Sequence, residues 1–177
     1  MADLFGDFDI PPSTARISAC GVYRYELRRY WSGGVRPAVF CGLNPSVADA
    51  LKDDNTIRKD IGFAKRWHCD YLVKVNASAY RATDPDDMKA AAASGVDIVG
   101  PENDLWLREV LVLVRELRGV FVVCWGNNIH LARQLEVARI IAESGVTPLC
   151  LGTNKNGTPV HELYQSYERE LVQWSLP

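Results

Sequence analysis

The strongest constraint on the fold of this chain is a set of short, largely apolar runs separated by segments of helical period. The runs are Pro37–Leu43 (PAVFCGL), Tyr71–Ala79 (YLVKVNASA), Val120–Trp125 (VFVVCW) and Pro148–Gly152 (PLCLG). Between them, Ile57, Ile61, Ala64 and Trp67 repeat at helical spacing, so Asn55 or Thr56 is expected to cap a helix reaching Trp67. Asn103 is expected to cap a helix from Asp104 to Arg118, and another spans about Ile129 to Glu143. Apolar strands alternating with amphipathic helices imply a parallel sheet covered on both faces. The expected class is therefore α/β: a three-layer αβα domain on a central, mainly parallel four-stranded sheet. Val22–Trp31 alternates and breaks at Gly33-Gly34, which adds an N-terminal strand. Ala82–Gly100 reads as a loop with one short helix, and Glu162–Trp174 as a terminal helix. Residues 1–14 read as a mobile leader and 15–177 as a single domain.

The 177 residues suit one domain, and 47% hydrophobic with 24% charged residues is an ordinary globular balance. No apolar stretch approaches the length of a membrane span. Met1–Ile10 carries Asp3, Asp7 and Asp9 and no basic residue, unlike a secretory signal, so a cytoplasmic location is expected. A formal charge of −2 argues against non-specific binding to a phosphate backbone without excluding a local basic site. The five cysteines form no C-x-x-C, and Cys41, Cys124 and Cys150 stand in apolar runs, as buried free thiols do. No metal site and no cofactor are expected.

Ligand sites in such folds lie beyond the C-terminal ends of the strands. The first run ends in Gly42, Leu43, Asn44, Pro45 and Ser46, followed by Asp53, Asp54, Thr56 and Arg58. The second leads to Asn76, Tyr80 and Arg81, and the third ends in Trp125, Gly126 and Asn127. The fourth leads through Lys155 to His161 and Tyr164. Amides, carboxylates, an imidazole, cations and aromatic rings thus collect at four separate strand ends.

The order of these elements resembles the uracil-DNA glycosylase superfamily. Gly42-Leu43-Asn44-Pro45-Ser46 is similar to its first motif, Val73–Ser78 to its second strand, Val122–Asn127 to its "LLWG" strand, and His161 stands where its His-Pro-Ser motif would be. The chain also resembles a bacterial and phage family of proteins of unknown function. That family shares LNPS, Asp53-Asp54-x-Thr56-Ile57-Arg58, Asn76 to Pro85, Trp125-Gly126 and Pro159 to Tyr164. The glycosylase resemblance implies that Asn44 orients a water at the anomeric carbon and Asn76 reads an extruded base. It implies that His161 stabilises charge on the departing base, and that the backbone of Leu43–Ser46 cradles a phosphate or carbonyl. The chain departs from it at three places. His161 is followed by Glu162-Leu163-Tyr164, no Phe follows the first motif closely enough to be the base-stacking ring, the nearest being Phe63 within the expected helix, and the Asp53–Arg58 block has no counterpart.

The leading expectation is a glycosylase-like enzyme acting on a nucleobase or nucleotide, free or within a nucleic acid, by N-glycosidic hydrolysis. Asn44, Asp53, Asp54 and His161 are its candidate catalytic residues, and Arg58 and Arg81 suit phosphate. One alternative is a non-catalytic module of the same fold that recognises a modified base or nucleotide. Another is a metal-dependent nucleotide transferase or hydrolase in which the Asp53-Asp54 block binds Mg²⁺. No membrane partner is expected.

Overall fold

A computed structural model describes residues 12–46 and 52–176. In chain order the elements are β1 (Thr14–Ile17), β2 (Arg24–Tyr30), β3 (Pro37–Gly42), α1 (Asn55–Arg66), β4 (Tyr71–Asn76), α2 (Pro85–Ala93) and α3 (Asn103–Glu116). They continue with β5 (Val120–Val123), α4 (Leu131–Ser144), β6 (Leu149–Cys150) and β7 (Val172–Gln173). The leader expected over residues 1–14 lies outside the described residues as far as residue 11, and Thr14 already belongs to β1.

The apolar runs form β3, β4, β5 and β6, which pair in the order β4-β3-β5-β6, all parallel. The sheet itself has seven strands in the order β1-β2-β4-β3-β5-β6-β7, where four mainly parallel strands and one N-terminal strand were expected. Two additions account for the difference. The Val22–Trp31 segment joins the sheet through β2, antiparallel to β4 with Leu27 opposite Lys74, and β1 pairs on its outer side. At the other edge, β7 returns antiparallel to β6. The result is a mixed α/β sheet with antiparallel edges.

Successive side chains on a strand point to opposite faces, and β3 divides its residues accordingly. Val39 and Cys41 pack with Leu107, Val110, Leu111 and Val114 of α3 and with Val137, Ile140 and Ile141 of α4. Ala38 and Phe40 pack with Ile57, Phe63 and Ala64 of α1. Full burial of each such side chain contributes about 1.5–3 kcal/mol, so β3 needs apolar residues on both faces. That requirement produced the unbroken run.

Three helix starts differ from expectation by a residue or two. Asp54, rather than Asn55 or Thr56, caps α1, its Oδ1 accepting from the Ile57 N–H at 2.9 Å. Asn103 is the first residue of α3 and does not cap it. It is buried, and its amide donates to the carbonyls of Asn76 (3.1 Å) and Ala77 (3.0 Å). His130 caps α4, its Nδ1 accepting from Ala132 N–H.

The expected terminal helix over Glu162–Trp174 is absent. A short 3-10 turn covers Glu162–Tyr164, and the chain then passes through a second turn at Tyr167-Glu168, closed by the Arg169 N–H donating to the Ser166 carbonyl, before β7. Anchors at both ends of the segment account for this. Glu162 is wholly buried against Lys74, and the Trp174 ring stands edge-on to Trp125 at 5.1 Å while its indole N–H donates to the Gly157 carbonyl.

Candidate functional site

A cavity of about 720 Å³ opens at the C-terminal ends of β3 and β5. Its wall brings together Gly42, Leu43, Asn44 and Ser46 after β3, Asp54 and Thr56 at the start of α1, Trp125 to Asn128 after β5, and Asn154, His161 and Tyr164 from the last connection. Segments distant in sequence meet here because parallel strands deliver all their C-terminal ends to one edge.

Each polar group arrives with part of its bonding already committed. The Asn44 amide donates to the Ala82 carbonyl at 2.8 Å and to the Pro45 carbonyl at 3.3 Å, so its carbonyl oxygen is what it can turn toward a ligand. Asp54 lines the cavity while capping α1. Asp53 is drawn away, its Oδ1 accepting from Arg29 Nε at 2.7 Å. The two carboxylates therefore serve different partners. His161 Nδ1 accepts from the Leu163 N–H at 3.2 Å, which puts the proton of the neutral ring on Nε2.

The aromatic contribution is divided between floor and rim. Trp125 is 1% exposed, and its indole N–H has no hydrogen-bond partner among the described residues. Tyr164 is 81% exposed, with its ring 5.9 Å from that of His161. A planar ligand entering the cavity meets the second before the first.

Several expected residues stand elsewhere. Asn76 is buried beneath the floor and does not form part of the wall. A Cβ on Gly42 would lie 2.9 Å from Asn76 Oδ1 and 3.2 Å from Lys74 Cε, so it is the bare backbone at Gly42 that lets these two side chains approach. The Asn76 side-chain nitrogen has no hydrogen-bond partner among the described residues. Arg58 folds back on its own helix, donating to the Asp53 carbonyl and Asn55 Oδ1. Arg81 donates to the Gly21 carbonyl at 3.1 Å, and Tyr80 lies in a bridge with Tyr23. None of these, nor Pro45 or Lys155, contributes to the wall.

Two cations of the wall were not among the expected site residues. Arg24, at the start of β2, is 2% exposed; burial lowers its guanidinium to about 10, with Asp54 acting the other way. Lys74 lies inside an apolar run and is buried in the middle of the sheet. Its Nζ stands 2.9 Å from Asp60 Oδ2 of α1 and 2.5 Å from Glu162 Oε1, with both carboxyls completely buried. Burial alone would lower Lys74, but Asp60, Cys124 and Glu162 together hold it well above the usual lysine range. Burial raises Asp60 well above the usual carboxylate range, whereas Lys74 and His161 overcome burial to hold Glu162 below it. The available signal was a lysine in the run YLVKVN, since a buried ammonium requires a partner.

A second cavity of about 470 Å³ adjoins the first, sharing Leu43, Asn127 and Asn128 with it. Its lining is mostly apolar, from Met88, Ala92, Ile98, Val99 and Ile129, with Arg133 at its edge. Among the described residues no cluster of three or more His, Cys, Asp or Glu side chains is arranged to hold a metal ion. No helix among them is long and apolar enough to cross a membrane.

The family described as "Protein of unknown function (DUF1643)" matches residues 24–163, a span that contains every wall residue except Tyr164 and Gln165. Neither the curated proteins nor the solved structures contain a match to this chain.

Proposed function

This chain belongs to the DUF1643 family, and we propose that it is a glycosylase-like hydrolase acting on a nucleobase-bearing ligand, with the cavity at the ends of β3 and β5 as its active site. The observation that carries this reading is the convergence of Asn44, Asp54 and His161, from three separate connections, into one cavity that also holds Trp125 and Tyr164. The resemblance of the motif order to the uracil-DNA glycosylase superfamily supports it.

In this reading the rings of Trp125 and Tyr164 take the base, and Arg24 attracts an anionic group such as phosphate. Asn44 and Asp54 orient a water at the anomeric carbon. The C–N bond breaks with its electron pair passing to the base nitrogen, which receives a proton from His161 Nε2. The water oxygen bonds to carbon and releases its own proton toward Asp54. Asn76, buried close against Gly42 and outside the wall, has no direct part in this scheme.

Base release from nucleosides, nucleoside monophosphates and single- and double-stranded oligonucleotides bearing uracil, hydroxymethyluracil, hypoxanthine or mismatched thymine, followed by mass spectrometry, tests the reading. Release by the wild type that falls at least about 100-fold in Asp54→Asn and in His161→Gln is expected, the loss typical of a removed catalytic group. No release from any of these substrates overturns it.

One observation favours a non-catalytic recognition module instead. Asp53 is paired with Arg29, and Asp54 already caps a helix, so both carboxylates have structural work. Binding of a base or nucleotide without turnover, unchanged in Asp54→Asn, would select that reading. The same divergence of the two carboxylates removes the support that their adjacency lent to Mg²⁺ binding.

A further inference from the structure

Two buried carboxyls face a single ammonium beneath the cavity, and the second oxygen of one of them is the informative atom. Glu162 Oε1 is bound by Lys74 Nζ at 2.5 Å, while Oε2 is buried with no hydrogen-bond partner among the described residues. A buried polar atom left unsatisfied costs about 1–3 kcal/mol, and more when it is charged. His161 Nδ1 stands 3.4 Å from this oxygen.

In the neutral ring that contact brings two acceptors together, because Nδ1 is already accepting from the Leu163 N–H. A proton on Nδ1 reverses the situation. The nitrogen then donates to Glu162 Oε2, and the orphan oxygen gains a charge-assisted bond. The surroundings point the same way: of the charged groups packed around the pair, Lys74 (β4) is shared by Asp60 (α1) and Glu162. Cys124, after β5, is held neutral by burial, and Arg24 and Asp54 belong to the same cavity wall. Lys74 bonds Glu162 through Oε1, and Oε2 is left on the side of His161 Nδ1.

We propose that Glu162 is the positioning residue of His161: its unpartnered oxygen receives the Nδ1 proton of the charged ring, Lys74 and Asp60 hold it in place, and the ring's other nitrogen is thereby presented as a proton donor. The arrangement stands on geometry alone, and its catalytic meaning rests on the hydrolase reading above. Within that reading, the proton passed to the departing base comes from an imidazolium whose remaining proton stays on Nδ1, facing Glu162. The buried ion cluster then has a use beyond stability, which such clusters seldom supply.

Proton and ¹⁵N NMR of the full chain at mildly acidic pH, with the imidazole rings labelled, tests this without any ligand. A hydrogen-bonded Nδ1–H of an imidazolium facing a carboxylate gives a far-downfield, slowly exchanging resonance. One such resonance is expected in the wild type. It should be absent in His161→Gln, which assigns it, and lost in Glu162→Gln, while the signals of His68 and His130 stay in place. Should Glu162→Gln fail to fold, the paired exchange Glu162→Gln with Lys74→Met removes the carboxylate and the ammonium together, and the same loss is expected. Absence of the resonance in the wild type, or its survival in a folded variant lacking the Glu162 carboxylate, overturns the proposal. The base-release assay can fail while this resonance persists, and the reverse, so the two readings fall separately.

Discussion

Lys74 and Glu162 are 88 positions apart in the chain, yet their side chains meet at 2.5 Å in the centre of the molecule. With Asp60 at 2.9 Å from the same ammonium, they tie the second parallel strand to α1 and to the turn that carries His161. The floor of the cavity is thus an ionic joint among three elements, and its disruption has measurable consequences.

Lys74→Met leaves two buried carboxyls without a cation. Removing one partner of a buried ionic set costs about 3–5 kcal/mol, whereas replacing the whole set by neutral groups of similar volume is often neutral or stabilising. Chemical denaturation should therefore show a large loss for Lys74→Met and a much smaller one for Asp60→Asn, Lys74→Met and Glu162→Gln combined. Equal losses in the two proteins would show that the cluster does not act as a unit.

The pH dependence has a definite sign. Burial raises Asp60 above its unfolded value, so the stability it contributes is fully present below the unfolded carboxylate pKa and is lost as pH rises through the folded one. Glu162 is held below its unfolded value and acts oppositely, contributing stability that is lost as pH falls. Asp60→Asn should therefore flatten the decline of unfolding free energy between the unfolded carboxylate pKa and the Asp60 transition of the folded protein, and leave the acid limb. A variant whose profile parallels the wild type would contradict this assignment.

Asp54 has two separable properties, its cap and its charge. Asn caps a helix about as well as Asp, whereas Ala costs about 1 kcal/mol at such a site. Thermal unfolding should place Asp54→Asn close to the wild type and Asp54→Ala below it. Since both lose the charge, both should lose base release. Activity retained in the Asn variant would confine Asp54 to the cap.

Gly42 is required for closeness. A methyl group there would sit 2.9 Å from Asn76 Oδ1 and against the Lys74 stem, with no open space to receive it. Overpacking of this kind typically costs about 1–3 kcal/mol. Gly42→Ala should unfold at lower denaturant, and an accompanying Asn76→Ala, which removes the nearest obstruction, should recover part of the loss. A fully additive pair would show that the two sites do not touch.

Much of this protein was legible in its sequence, and the reason is local. A strand buried on both faces is apolar at nearly every position, so β3, β4 and β5 announced themselves, with Lys74 and Asn76 the polar exceptions in β4, together with the edge at which their ends collect. Asn44, Asp54, Trp125, Asn127, His161 and Tyr164 reach the cavity wall from the connections that follow those runs. Where a side chain turns is decided by partners that no local pattern encodes. Arg58 and Arg81 bond to nearby backbone, while Arg24, not among the expected site residues, lines the cavity. The 3-10 turn and strand in place of a terminal helix follow from Glu162 meeting Lys74 and Trp174 meeting Trp125, contacts made only once the sheet has closed. Apolar periodicity is a property of each segment by itself and can be read along the chain. Charge pairing and register between distant segments belong to the assembled sheet, and the tertiary structure alone decided them.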